Sequence, residues 1–170
     1  ETTSYARIMR VKNTIKDALS IFLSFATDCI VDSCSVTGGG NGLFIASGAR
    51  NQLSGNTIGA SSNGIYCQWE RDALVCGNTF LHNSAAGLRF LRSSGQILAN
   101  SFLENWVGVL VAESGPITIW NNHFDFTQCT GLYLRDVTSG KVSFNTFEHT
   151  GLADLEVDGT LMDMLILEGD

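Results

Sequence analysis

An asparagine followed two positions later by a large apolar residue recurs along almost the whole chain. The series runs through Asn13, Asn56, Asn78, Asn100, Asn122 and Asn145, with Cys34 in its one gap. Successive members, Cys34 included, are 21, 22, 22, 22, 22 and 23 residues apart. A nearly constant period of this length indicates one supersecondary unit stacked on copies of itself. The sequence therefore predicts a solenoid.

Each repeat carries two runs with strand alternation. An aliphatic residue stands three positions before each asparagine from Asn56 onward, and eight or nine positions after most of them a glycine opens a second run, as in Gly87-Leu-Arg-Phe. Clusters of Gly, Asn, Ser and Thr separate the runs, and no stretch has helical periodicity, which argues against a leucine-rich repeat. We predict an all-β, single-stranded parallel β-helix of about seven coils with ~22 residues per coil, forming one domain over residues 1–170.

The repeated asparagines have a structural explanation in such a rod. Identical amides at the same bend of successive coils can hydrogen-bond to one another and to the neighbouring backbone. The residues two positions on should form an apolar stack inside the rod. Cys34, which replaces an asparagine, is expected to be a small buried thiol. The predicted stack contains Ile15, Val36, Ile58, Phe80, Phe102, Phe124 and Phe147.

These motifs resemble a known group of proteins. Asn-x-[Ile/Phe] turns followed by Gly-[Leu/Ile/Val]-x-[Leu/Ile/Val] strands are similar to the repeats of the right-handed parallel β-helix proteins of the pectate-lyase-like superfamily. That superfamily includes polysaccharide lyases, polygalacturonases, surface-polysaccharide epimerases and bacteriophage tailspikes, and the resemblance covers about residues 5 to 160. It implies a right-handed coil and a polysaccharide ligand on one exposed sheet face. It specifies no chemistry, because the repeats encode the rod and not its surface.

Charge and composition narrow the classes of partner. A net charge of −7 with only ten Lys and Arg residues argues against nucleic acid. No run of eighteen apolar residues is present to span a membrane. The five cysteines form no Cys-x-x-Cys pair and are odd in number, which argues against a disulfide framework. We therefore favour folding in a reducing cytoplasm and a final place on a virion or cell surface, with secretion as the alternative.

The outward residues of the glycine-led strand are the candidates for ligand binding. Alternation places Tyr66, Arg89, Leu110 and Tyr133 in one outward column and Gln68 and Arg135 in a second. Aromatic rings can stack on sugar faces, and arginine can bind carboxylates in a bidentate manner. An exposed Leu110 beside Tyr133 fits a subunit interface equally well. The predicted ligand-binding set is Tyr66, Gln68, Arg89, Arg92, Tyr133 and Arg135.

Two carboxylates are candidates for catalysis. Glu113 and Asp136 occupy nearly the same turn position in adjacent coils, so one strand spacing of ~4.8 Å should separate them. That separation is near the ~5–5.5 Å of retaining glycosidases. A solvated acidic face is the competing interpretation, and the chain lacks Gly-His-Gly, Asp-Asp and Asp-Pro-His motifs. Enzyme status stays open, with polysaccharide lyase or glycoside hydrolase as the classes to test.

The sequence predicts no cofactor and no metal site. It has no dense aspartate cluster, and His82 and His149 align three coils apart, too far to share an ion. His123 is also expected to be structural or solvated.

Three functions remain open at this point. The favoured one is a module that recognises, and in one version cleaves, a surface polysaccharide, as in a phage tailspike or adhesin. The alternatives are a structural or decoration subunit without glycan activity, and a secreted polysaccharide lyase or glycosidase. The apolar stretches 19–25 and 161–167 have no amphipathic helix to cover them. We therefore expect a homo-oligomer, a trimer being the form suggested, or part of a larger assembly or longer rod.

Overall fold

The chain winds into three parallel sheets. The structure, a computed structural model, describes residues 5–14, 21–159 and 165–168. Every strand pairs in parallel with the equivalent strand of the coil before or after it. Within the described ranges there is no helix, and so no helical segment with the length and apolarity needed to span a bilayer. The predicted all-β parallel solenoid of about seven coils is confirmed.

Each complete coil contributes one strand to each sheet. Sheet A has eight strands, β1 (Arg7–Met9), β4 (Ile30–Asp32), β7 (Gln52–Ser54), β10 (Ala73–Cys76), β13 (Gly95–Leu98), β16 (Ile117–Trp120), β19 (Gly140–Ser143) and β22 (Leu165–Glu168). Sheet B has seven, β2 (Lys12–Thr14), β5 (Ser35–Thr37), β8 (Thr57–Gly59), β11 (Thr79–Leu81), β14 (Ser101–Leu103), β17 (His123–Asp125) and β20 (Thr146–Glu148). Sheet C has seven, β3 (Ile21–Ser24), β6 (Asn41–Ala46), β9 (Asn63–Gln68), β12 (Ala86–Leu91), β15 (Val107–Ala112), β18 (Thr130–Arg135) and β21 (Ala153–Asp158).

The sequence repeat and the structural register coincide. In sheet B, Phe80 pairs with Phe102, which pairs with Phe124. In sheet C, Tyr66 pairs with Arg89, one coil further along the rod. Because coils pair strand to strand, the backbone hydrogen bonds run along the rod axis and each coil rises by about 4.8 Å.

The predicted asparagine ladder forms at the corner between sheets A and B. The Asn100 Oδ1 accepts hydrogen bonds from the backbone N–H and the Nδ2 of Asn78, at 2.9 and 3.0 Å. The Nδ2 of Asn100 in turn donates to the Val75 carbonyl at 3.0 Å and to the Asn122 Oδ1 at 3.0 Å. The same pattern links Asn56 to Asn78 and Asn122 to Asn145. Each buried amide is thus tied to both neighbouring coils.

Cys34 contributes to the N-terminal end of this ladder. Its backbone N–H donates to the Asn56 Oδ1 at 2.9 Å, and the residue is 2% exposed. The expectation of a small buried thiol is confirmed. The described cysteines are all free, as the spacing predicted.

The other two corners carry polar ladders that the sequence repeat did not reveal. Between sheets B and C, the Asn105 Oδ1 accepts from the backbone N–H of Asn83 at 3.1 Å and from its Nδ2 at 2.8 Å. Between sheets C and A, the Ser114 hydroxyl accepts from the Ser93 N–H, and the Ser93 hydroxyl accepts from the Glu70 N–H, both at 3.1 Å. Buried polar groups of the corners are therefore paired from coil to coil.

The core is a set of apolar columns. The Phe80, Phe102, Phe124 and Phe147 rings stack with centroids 4.7 to 4.8 Å apart, as predicted. Ile15, residues 19–20 and residues 161–164, which belong to the predicted stack and terminal stretches, lie outside the described residues. The residues that alternate with the outward columns of sheet C point inward, and all are fully buried: Leu43, Ile45, Ile65, Cys67, Leu88, Phe90, Val109, Val111, Leu132 and Leu134.

The glycine that opens each sheet C strand makes room for this stack. A Cβ at Gly87 would lie 2.7 Å from the Phe102 Cδ1 and 2.8 Å from the Gly108 carbonyl oxygen. Both distances are well inside van der Waals contact. The glycines are therefore needed at these positions so that the phenylalanine rings can pack against the backbone of sheet C.

Gly87→Ala tests this packing. We expect a loss of about 1–3 kcal/mol in the free energy of unfolding, because the added methyl group must displace a fully buried ring or a paired backbone. Gly40→Ala is the matched control, since a Cβ there has no atom within 4 Å. Urea denaturation measures both; equal stabilities for the two variants would contradict the proposed packing.

Candidate functional site

The outer face of sheet C carries most of the predicted ligand-binding residues. Tyr66, Arg89, Leu110, Tyr133 and Glu156 are paired in that order across five successive coils. Gln68 and Arg135 belong to the second outward column, as predicted. We call the first column the sheet C strip.

Aromatic rings cover the N-terminal part of the outer face of sheet C. Phe22 stacks on Phe44 and Phe44 on Tyr66, with centroids 5.3 and 5.0 Å apart. The Arg89 guanidinium carbon lies 5.0 Å from the Tyr66 ring centroid, within the range of a cation–π contact. The Arg89 Nε is buried without a hydrogen-bond partner, and no carboxylate of the described residues pairs with this side chain. Arg89 is therefore a positioned cation available to a ligand.

Arg92 lies elsewhere, at the corner between sheets C and A. Its Nε and Nη2 both lie 2.8 Å from the Glu113 Oε2 of the next coil. The guanidinium is thus already occupied by a carboxylate.

The two candidate catalytic carboxylates do occupy equivalent positions in adjacent coils. Glu113 and Asp136 directly follow the paired residues Ala112 and Arg135, and both have left-handed backbone, with φ of 49° and 51°. Their partners differ, however. Glu113 pairs with Arg92 of the preceding coil, whereas the Asp136 Oδ1 lies against Gly159 of the following coil. Each carboxylate is engaged with a different neighbour.

A groove of about 600 Å³ lies beside the C-terminal half of the sheet C strip. Its inner wall is formed by Leu110, Tyr133 and Glu156 of the strip. Val107 and Thr130 of the same strands are buried beneath it. The outer wall comes from the turns that lead from sheet B to sheet C. The residues of that wall are Ser84, Ala85, Trp106, Cys129 and Leu152.

The outer wall contains large exposed apolar side chains that the sequence analysis missed. Trp106 is 50% exposed and Leu152 is 81% exposed. The backbone N–H of Cys129 donates to the Trp106 carbonyl, and that of Leu152 donates to the Cys129 carbonyl, so the three lie in successive coils. An indole and a phenol thus face one concave surface, which is typical of sites that bind sugars or apolar groups.

Glu70 is a fully buried carboxylate at the corner between sheets C and A. Its Oε1 accepts from the backbone N–H and the Nδ2 of Asn51, at 3.2 and 2.9 Å. Its Oε2 lies against Gly48, in the space that a side chain would otherwise occupy, and makes no well-formed hydrogen bond. Burial raises the pKa of Glu70 to about 7, although hydrogen bonds from Asn51 and the Gly48 backbone and the charge of Arg71 oppose that rise.

A separate group of side chains that could ligate a metal ion lies on the outer face of sheet B. His123, Asp125 and Glu148 each offer one ligand atom, and these atoms all lie within 4.8 Å of one another. Asp125 and Glu148 are register partners in adjacent strands. The His149 Nδ1 lies 2.9 Å from the Asp125 Oδ1, and its ring stacks on Phe126. His82, three coils away, lies 3.2 Å from Glu104 instead.

Comparison with known proteins assigns a family. Residues 3–151 match the family model described as periplasmic copper-binding protein (NosD). The chain belongs to the NosD family. No curated protein sequence matches this NosD-family chain significantly.

Solved structures support the fold. An alginate lyase from Paenibacillus sp. str. FPU-7 matches 91% of this chain and 75% of its own, with a TM-score of 0.65 and 12% sequence identity. At that identity the likeness shows the fold alone, and it supports the predicted right-handed parallel β-helix. The trypsin-treated fluoroquinolone resistance protein QnrB1 covers 96% of this chain and 92% of its own at 10% identity, but with a TM-score of 0.27 it carries no argument.

The buried Glu70 predicts a pH-dependent stability. Its folded pKa of about 7 is above the reference value of 4.5, so the stabilising contribution is complete below that lower value and is lost as the pH rises through 7. The loss amounts to about 3 kcal/mol for this group. Glu70→Gln, which cannot ionise, should remove this part of the pH dependence.

Urea denaturation of both proteins from about pH 5 to about pH 8 measures the difference. The exposed Glu104→Gln is the control. Stability curves of wild type and Glu70→Gln that stay parallel across this range would show that Glu70 is not the titrating group.

Proposed function

We propose that the protein binds a polysaccharide along the outer face of sheet C, with sugar rings in the groove between Trp106 and Tyr133. The observation that carries this proposal is the groove itself, which sets two aromatic side chains beside polar groups. Its ligand lies along the rod axis, because the walls are built from equivalent residues of successive coils. The likeness to an alginate lyase supports the scaffold only.

The strip extends the groove toward the start of the chain. Arg89 is the cation of the strip, and no carboxylate of the described residues pairs with it. Its guanidinium suits an acidic or hydroxyl-rich sugar. Tyr66 holds Arg89 in place and offers a further ring. Gln68 and Arg135 flank the strip in the second column and complete the predicted binding surface.

The geometry favours binding over cleavage. Arg92 neutralises Glu113, and Asp136 is directed to the next coil, so neither arrangement resembles two carboxylates facing one glycosidic bond. A glycan-binding module of this kind suits an adhesin or a tailspike-type protein.

Tyr133→Ala tests glycan binding. We expect a loss of about 1–2 kcal/mol of binding free energy, roughly tenfold in affinity, because a stacking platform is removed from the groove wall. Binding is measured on a glycan array and confirmed by calorimetry. Phe144→Ala, an exposed aromatic at a different corner, is the control.

The subunit-interface alternative gives a different result in the same assays. If the groove were only a protein contact, wild-type protein would bind no saccharide, and Leu110→Asp would change the native mass. Saccharide binding that survives Tyr133→Ala and Trp106→Ala unchanged would also overturn the proposal.

A second function, copper binding, is favoured by a specific observation. The family model is described as copper-binding, and His123, Asp125 and Glu148 place one imidazole and two carboxylates within reach of one ion. Imidazole nitrogen and carboxylate oxygen are donors that Cu(II) accepts. His149 would orient Asp125 through the hydrogen bond between its Nδ1 and the Asp125 Oδ1, as partners of ligating carboxylates do at metal sites. The three side chains present therefore fit a copper ion.

His123→Ala tests this second function. We expect at least a tenfold loss of Cu(II) affinity, because the one nitrogen donor of the group is removed. Calorimetric titration with Cu(II) measures the affinity, and electron paramagnetic resonance reports nitrogen ligation. His82→Ala is the matched control, since His82 pairs with Glu104 outside the group. Identical titrations for the two variants would exclude this site.

A further inference from the structure

The groove lining carries negative charge and no positive charge. Of the residues that line it, Glu156 is the one with a charged side chain; the others are apolar or uncharged polar residues. The Glu156 Oε2 accepts a hydrogen bond from the Thr130 hydroxyl at 3.2 Å. No lysine, arginine or histidine of the described residues pairs with this carboxylate. A positioned anion therefore stands in the groove without a counter-charge.

The strip has the opposite charge three coils away. Arg89, Leu110, Tyr133 and Glu156 follow one another in register, so the guanidinium and the carboxylate are separated by about 14 Å along the rod. An apolar side chain and an aromatic one lie between them. A ligand along this face meets a cation at one end and an anion at the other.

We propose that the sugar residue held in the groove carries a free, protonated amino group that pairs with Glu156. This inference rests on the proposed glycan binding and names its ligand class as an amino sugar. The hydrophobic faces of such a ring stack on Trp106 and Tyr133, and its ammonium group forms a charge-assisted hydrogen bond with the carboxylate.

Acidic sugars are disfavoured at this position for two reasons. A carboxylate or sulfate near Glu156 would be repelled by a like charge, and the groove lining has no cation to offset that repulsion. The net charge of −7 adds long-range repulsion. Within the sheet C strip, Arg89 is the residue that can bind an acidic group. The order of charges also fixes the direction in which a chain with both kinds of sugar can lie.

A matched pair of oligosaccharides tests the inference. Chitosan and chitin oligomers of equal length share one backbone and differ in whether the nitrogen is a free amine or an acetamide. At mildly acidic pH, where the amines are protonated, we expect chitosan oligomers to bind roughly tenfold more tightly than chitin oligomers. Calorimetric titration measures both affinities, and added salt should reduce the difference.

Glu156→Gln is the diagnostic variant, because the side chain is exposed and its shape is nearly preserved. It should remove the preference for chitosan over chitin, because glutamine carries no charge to pair with the protonated amine. Asp72→Asn, which also removes one exposed acidic charge but lies outside the groove, should leave the preference intact. Thermal melts of all three proteins establish that they are folded.

The possible results separate this inference from the proposed function. Equal binding of chitosan and chitin, unchanged in Glu156→Gln, would overturn the amino-sugar assignment while glycan binding stands. Tighter binding of acidic alginate oligomers than of chitosan would overturn it as well. No binding of any of the three oligosaccharides by wild type would count against both the inference and the proposed glycan site.

Discussion

The hydrogen bonds between asparagines of successive coils are the constraint on which the rest of the structure depends. In this series each Oδ1 from Asn78 to Asn145 accepts two hydrogen bonds from the preceding coil, and each Nδ2 from Asn56 to Asn122 donates to both neighbouring coils. Asn56, Asn78, Asn100 and Asn122 are nearly fully buried. A slip of one residue would leave such groups unpaired at a cost of about 1–3 kcal/mol each. The ladder therefore fixes the register of one coil on the next.

Because the register is fixed, the spacing of two residues in the sequence determines whether they are neighbours on the surface. Residues about 22 positions apart lie one strand spacing from each other, so Tyr66, Arg89 and Tyr133 belong to one continuous face. The same rule brings Asp125 and Glu148 together on sheet B. Sites built this way have rigid walls, because each side chain projects from a strand or a corner held by backbone pairing on both sides.

The sequence predicted the core and the asparagine corner well and the other two corners poorly, for a physical reason. Alternation and a constant period locate inward residues such as Phe102, Leu88 and Val109, because strands allow no insertions without reversing their faces. Corners tolerate changes in length: Asn63 to Ala86 is 23 residues, and Ala86 to Val107 is 21. Trp106 and Leu152 therefore could not be aligned by counting, and half of the groove was missed.

Two further features depended on partners that lie one coil away. Glu70 is buried because Gly48, one repeat earlier in the chain, leaves space for its carboxylate. This relation is visible in the sequence only if each glycine is compared with the residue one period later. The sequence analysis compared histidines only with histidines and so did not consider His123 and Asp125 together with Glu148 of the next coil. The predicted carboxylate pair shows the converse: the register brought Glu113 and Asp136 to adjacent coils, but Arg92 determined where one of them points.

Hydrogen exchange of asparagine side-chain amides tests the ladder most directly. In nuclear magnetic resonance spectra of the ¹⁵N-labelled protein, the Nδ2 protons of Asn56, Asn78, Asn100 and Asn122 should exchange far more slowly than those of the exposed Asn121. Protection of all four is the result that stacked coils require. Exchange of these side chains as fast as that of Asn121 would contradict the ladder, and with it the alignment of every surface residue discussed above.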